Sequence, residues 1–166
     1  MKTIQRKVCL LGEFAVGKTS LVRQYIEGHF DDKYLSTVGV KVSRKTVPQP
    51  NYTLNMLIWD IAGDNEFSRA EGGYLQGVAG AIIVCDLTRE DSLIAYHKYA
   101  QLLRAINPTV PLIFFANKVD LTAERVITNQ ILQATCSELN GLFLLTSAKT
   151  GEQVEEGFQL LAQRLV

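Results

Sequence analysis

Short, nearly continuous apolar runs alternate along this chain with stretches in which apolar side chains return every third or fourth residue. Lys7-Val8-Cys9-Leu10-Leu11, Gly80-Ala81-Ile82-Ile83-Val84-Cys85 and Leu112-Ile113-Phe114-Phe115-Ala116 read as strands covered on both faces, because a strand with one wet face would alternate. The pattern predicts strands at 7–11, 40–47, 53–59, 80–85, 112–116 and 142–146, and helices at 18–27, 67–76, 92–106, 129–139 and 153–165. Pro48-Gln49-Pro50-Asn51 is short and rich in turn formers, so the second and third strands pair as an antiparallel hairpin. Helices separate the remaining strands, which makes them parallel. The fold class is α/β: a mostly parallel sheet of about six strands with one antiparallel hairpin strand and helices on both faces. Thr150-Gly151-Glu152-Gln153 has the spacing of a capping box for the last helix, whose Val154, Phe158, Leu161 and Leu165 recur at core-facing positions.

The 166 residues, read as one domain over 1–166, carry 17 basic and 17 acidic side chains. That balance leaves no basic excess for a nucleic-acid surface. Neither a membrane-spanning apolar stretch nor a signal-peptide core occurs, which points to the cytoplasm. Cys9, Cys85 and Cys136 lack metal-like spacing and read as buried thiols in a reducing compartment. His29 and His97 read as surface residues.

The chemistry concentrates in Gly12-Glu13-Phe14-Ala15-Val16-Gly17-Lys18-Thr19, which fits G-x-x-x-x-G-K-[S/T] between a strand and the helix that begins Ser20-Leu21-Val22. The glycines let the backbone curl so that successive N–H groups face an anion. The helix then presents its positive end. Lys18 supplies a cation for β- and γ-phosphates, and the Thr19 hydroxyl can ligate Mg2+. The stretch reads as the phosphate-binding loop expected of a P-loop NTPase.

Further motifs follow later strands. Trp59-Asp60-Ile61-Ala62-Gly63 ends the third; Asp60 would hold Mg2+ directly or through water, and the Gly63 N–H could approach a γ-phosphate. Asn117-Lys118-Val119-Asp120 follows the fifth. A carboxylate there can accept both the N1–H and the 2-amino group of guanine, a donor pair that adenine lacks. Asn117 can tie this loop to the P-loop, and the Lys118 stem can pack on the base. Ser147-Ala148-Lys149 follows the sixth strand and offers the Ala148 N–H to the guanine O6.

In this ordered set the chain resembles a Ras-superfamily small GTPase from end to end, most closely the Rab branch. The matching residues are GEFAVGKT at 12–19, Thr37 and Gly39, WDIAG at 59–63, NKVD at 117–120 and SAK at 147–149. The resemblance implies GTP or GDP as ligand, contacted by Phe14, Ala15, Val16, Gly17, Lys18, Thr19 and Ser20, by Gly63, and by Asn117, Lys118, Asp120, Ser147, Ala148 and Lys149. It implies Mg2+ held by Thr19, Thr37 and Asp60, with Thr37 also on the γ-phosphate. Phe30 would pack edge-on against guanine or serve as a hydrophobic anchor at the helix end; Tyr34 would cover the phosphates or stand as a solvated aromatic. Effector and regulatory proteins would read segments near 33–45 and 64–76.

The chain departs from the family pattern at the catalytic centre. Asp64 follows Gly63 where the family usually has Gln, the residue that orients the attacking water. Asp is shorter, can only accept hydrogen bonds when ionised, and sits near an anionic phosphate. Phe14 stands where relatives have a small residue, and its ring would crowd the path of an activator's arginine finger. Ile61 replaces the more usual Thr. The catalytic set is therefore Asp64, Lys18, Thr37 and Gly63, with slow hydrolysis expected. The alternative is a GTP-loaded binding module with negligible hydrolysis. A nucleotide kinase would need an acceptor site and an Arg-rich lid, neither of which the sequence offers. The chain stops at Val166 without the tail of prenylatable cysteines that membrane-acting relatives carry, so no lipid anchor is expected in it.

Overall fold

The structure, a computed structural model, describes residues 1–30, 39–62 and 73–166. Its strands are β1 (Lys2–Gly12), β2 (Val40–Pro48), β3 (Tyr52–Ile61), β4 (Val78–Asp86), β5 (Leu112–Asn117) and β6 (Leu142–Leu145). They form one sheet in the order β2-β3-β1-β4-β5-β6. β2 runs antiparallel to β3, and the other pairings are parallel, as the hairpin and crossover spacing predict. The helices are α1 (Lys18–Glu27), α2 (Ile94–Ile106), α3 (Asn129–Glu138) and α4 (Val154–Ala162), with a 3-10 turn at Glu90–Leu93 leading into α2. The predicted helix at 67–76 falls mostly outside the described residues.

The long strands sort their side chains by alternation. On one face Cys9, Leu11, Ile83, Cys85 and Phe114 meet Tyr96, Tyr99 and Leu103 of α2 and Leu132 of α3. On the other, Val8, Leu10, Ile82, Val84, Ile113 and Phe115 meet Leu21 and Tyr25 of α1 and Phe158 and Leu161 of α4. Two covered faces are why residues 8–11 of β1, most of β4 and the first five residues of β5 are continuously apolar. Tyr25 stacks on Phe158 with ring centroids 4.0 Å apart. Gly157 lets α4 come down onto β5, since a Cβ there would lie 2.4 Å from the Phe115 ring.

Two expectations fail locally. β1 starts at Lys2 rather than residue 7. Residues 2–6 are mostly polar and exposed, yet they pair with Tyr52–Met56 of β3; the backbone ladder holds the strand where burial does not. The capping box does not form. Gln153, the residue before α4, takes φ 55° and the helix has no side-chain cap. The Thr150 hydroxyl instead accepts the Glu152 N–H at 3.2 Å, a local turn that competes with capping. The core stripe of α4 is as expected, with Val154, Phe158, Leu161 and Leu165 all buried.

Because β1, β3, β4, β5 and β6 run parallel, their C-terminal ends lie along one edge of the sheet. The described residues of the motifs that begin at Gly12, Trp59, Asn117 and Ser147 lie at or just beyond these ends.

Candidate functional site

The loop leaving β1 is tightly wound. Ala15 sits at φ 64° and Gly17 at φ 102°, conformations that turn the chain back on itself before α1 begins. A Cβ on Gly17 would lie 2.4 Å from the Asn117 amide nitrogen, so glycine is required both by conformation and by space. Lys18 is buried and its Nζ donates to the carbonyls of Gly12 and Glu13, each at 3.1 Å. The ammonium is thus lodged beneath the loop that it would share with an anion. Gly17 brings no side-chain cap to α1, and the first turn of α1 holds no acid, which suits a negatively charged ligand. Val16 is buried and Ser20 half-buried.

Thr19 Oγ1 donates to Asp60 Oδ2 at 2.5 Å, joining the start of α1 to the end of β3. A hydroxyl and a carboxylate that meet this closely are hard oxygen donors of the kind Mg2+ takes, with waters or phosphate completing its shell. The residues present therefore fit that ion. Among the described residues no group of three or more His, Cys, Asp or Glu gathers elsewhere as a metal site.

The loop after β5 is bound to the P-loop at two points. Asn117, buried, donates from Nδ2 to the Val16 carbonyl at 3.0 Å and accepts the Thr146 hydroxyl at Oδ1 at 3.1 Å. Lys118, at φ 71°, donates from Nζ to the Ala15 carbonyl at 3.1 Å and pairs with Asp86 at 2.8 Å. Asp120 is half-buried and accepts the Ser147 hydroxyl at 2.8 Å. That bond fixes one carboxylate oxygen and orients the group. The Ala148 carbonyl accepts from Gln24 Nε2 at 2.9 Å, so α1 holds the peptide that follows β6. Lys149 is exposed.

Phe14 projects from the tip of the P-loop, 55% exposed. Its carbonyl accepts from Arg89 Nη1 at 2.7 Å. The ring lies on an open groove of about 320 Å³ lined also by Glu13, Arg89, Asp91 and Ile94. Phe30 is half-buried and packs on the core layer beneath α1. Tyr34, Thr37, Gly63 and Asp64 lie outside the described residues.

His29 and His97 are exposed beside Glu27 and Glu138. The three cysteines are free and buried. Burial pushes the thiols of Cys9, Cys85 and Cys136 up to about 12. Among the described residues no helix is long and apolar enough to cross a membrane.

Sequence reading missed Asp86, Thr146, Gln24 and Arg89. Asp86 had a signal, an acid closing an apolar strand just as Asp60 does. The other three had none, since their importance lies in partners distant along the chain.

Residues 7–166 match the model of the Ras family. The chain is similar to the Ras-related protein Rab-5A of Dictyostelium discoideum, 38% identical over 165 residues that cover 99% of this chain and 82% of the relative. It is similar also to the Ras-related protein Rab-31 of Homo sapiens and of Rattus norvegicus, each 34% identical over 160 residues that cover 96% of this chain and 82% of the relative.

Proposed function

The chain belongs to the Ras family, in its Rab branch, and is a GTP-binding molecular switch with GTPase activity; from that premise we propose that residues 1–166 form one guanine-nucleotide-binding domain that holds GTP tightly and hydrolyses it slowly. The observation that carries the reading is the bond from Asn117 to the Val16 carbonyl, which joins a base-reading loop to a phosphate-reading loop. In this reading a ligand spanning the two carries a purine at one end and phosphates at the other.

In this reading the curled N–H groups of 14–20 and the Lys18 ammonium bind the phosphates. Asp120 accepts the guanine N1–H and 2-amino group, with Ser147 holding the carboxylate in place. The Ala148 N–H meets O6, the Lys118 stem covers the base, and Lys149 lies at its rim. Phe30 and Tyr34 flank the nucleotide. Thr19, Asp60 and Thr37 would hold Mg2+, which would supply positive charge against the phosphates. Thr37 and the Gly63 N–H would contact the γ-phosphate, and loss of that group would release both segments. Regulators and effectors would bind near 33–45 and 64–76.

Hydrolysis joins a water oxygen to the γ-phosphorus and breaks the bond to the β–γ bridging oxygen, leaving GDP and phosphate. Asp64 takes the place of the water-orienting Gln. It is one methylene shorter, donates no hydrogen bond when ionised, and is repelled by the γ-phosphate. Phe14 adds a steric block where an arginine finger would enter. The exposed ring, with its peptide held by Arg89, favours the second reading, a GTP-loaded module with negligible turnover.

Single-turnover hydrolysis distinguishes them. The protein is loaded with GTP and Mg2+, and conversion to GDP is followed. Conversion within an hour supports the slow switch. GTP retained intact over many hours supports the loaded module. Failure to retain guanine nucleotide overturns both.

A further inference from the structure

We infer that Asp86 is a positioning residue for nucleotide retention: through the Lys118 ammonium it locks the Ala15 peptide of the P-loop to the loop that follows β5. The inference rests on the nucleotide-binding reading above.

Asp86 closes β4 and stands opposite Asn117 in the β4–β5 register, so its carboxylate lies beside the strand end from which Lys118 departs. The side chain is 1% exposed and its Oδ2 lies 2.8 Å from Lys118 Nζ. Oδ1 is held separately, accepting the Thr88 N–H at 2.8 Å and the Thr88 hydroxyl at 2.7 Å. The backbone is fixed as well. The Asp86 N–H donates to Ser92 Oγ at 2.9 Å, and the Leu87 N–H donates to the Asn117 carbonyl at 3.0 Å. The carboxylate therefore has one orientation, aimed at the ammonium.

Lys118 carries the effect onward. Its Nζ donates to the Ala15 carbonyl at 3.1 Å. Both residues are in left-handed conformations, φ 71° and φ 64°, which persist only when the surroundings hold them. A lone ammonium on a neutral carbonyl would be a weak tether for two such peptides. A buried carboxylate 2.8 Å from the same ammonium adds an ion pair to that bond and draws the charge toward the strand end. Asn117 to Val16 is a neutral bond beside it, so the loops are joined by one neutral and one charged link.

The test is nucleotide dissociation, using a fluorescent GDP chased by excess GDP. Asp86→Asn keeps an acceptor for Thr88 but removes the charge. We expect GDP to leave about ten- to a hundredfold faster, the range of a charge-assisted hydrogen bond. Lys118→Met should also accelerate release. Asp86→Asn added to Lys118→Met should then accelerate it no further, a coupling that a merely structural role would not produce. Unchanged release in Asp86→Asn, or effects that multiply in the double variant, overturns the inference. If Asp86→Asn does not fold, the double variant, which leaves no unpaired charge, is compared with Lys118→Met alone: equal rates support the inference and a faster double variant overturns it. Wild type that does not retain GDP overturns the nucleotide-binding reading itself. Wild type that retains it while the variants show no coupling overturns only the role of Asp86.

Discussion

Asn117 donates to the carbonyl of Val16 at 3.0 Å across 101 residues of chain. The two ends of the bond belong to loops that follow β5 and β1, strands separated in the sheet by β4. The same side chain accepts the Thr146 hydroxyl, so one buried amide brings three strand ends into register. Asn117→Ala leaves the Val16 carbonyl and the Thr146 hydroxyl short of a partner, at a cost of about 1–3 kcal/mol. Denaturant unfolding would measure that loss, and accelerated GDP release should accompany it.

The two left-handed glycines that bound α1 should respond differently to alanine. Gly17→Ala meets both φ 102° and a contact of 2.4 Å to the Asn117 amide, so it should impair GDP retention as well as stability. Gly28 sits at φ 75° with nothing within 4 Å of a Cβ. Gly28→Ala should cost only the conformational strain of about 1–2 kcal/mol, seen as a lower melting temperature with GDP release unchanged.

Base selection should follow the chemistry at residue 120. Asp120→Asn replaces an acceptor-only group with one that also donates. Its amide can no longer take both guanine donors, but it can donate to a base carrying a carbonyl at C2. Competition binding should show GDP weakened by tenfold or more, with xanthosine diphosphate preferred over it. A variant that still favours GDP would remove Asp120 from base recognition.

Phe14→Gly with Asp64→Gln should raise single-turnover hydrolysis above wild type, because one change opens the path to the γ-phosphate and the other supplies a group that both donates to and accepts from water. Phe14→Gly alone should act mainly when an activator is present. A double variant no faster than the parent, with or without an activator, shows that the slow step lies elsewhere.

The buried thiols give a pH signature. Cys9 and Cys85 are raised from 9.0 to about 12 by burial. On unfolding they return to the lower value, so the unfolded state binds fewer protons once the pH exceeds about 9. Stability should be indifferent to these groups below about pH 8 and fall at higher pH by up to about 1.4 kcal/mol per unit per thiol. Urea midpoints across that range measure it. At about pH 8 a thiol reagent should label the native protein slowly and the urea-unfolded protein at once.

Much of this protein could be read from its residues because the signals are local. Continuous apolar runs marked β4 and β5, since a strand covered twice cannot alternate, and the Pro-rich link between β2 and β3 marked their hairpin. The P-loop was readable because its glycines answer a demand of the loop itself, and Asp60, Asn117 and Asp120 because each stands at or just beyond the C-terminal end of an apolar strand. Readings that needed distant partners were not available. Residues 2–6 looked too polar for a strand until β3 lay beside them, and the Thr150 hydroxyl was claimed by a neighbouring turn instead of capping α4.

The sequence by itself determined the order of the described strands and helices along the chain, the residues that each loop carries, and the family. Tertiary structure decided which loops touch. That Asp86 faces Lys118, that Gln24 holds the Ala148 carbonyl and that Arg89 grips the peptide of Phe14 follow from the order in which the strands lie side by side. Pattern along a chain reports which face of an element is apolar. Only the packed sheet sets which strand ends are neighbours, and charge pairs and hydrogen bonds act over a few ångströms of space rather than over any distance in sequence.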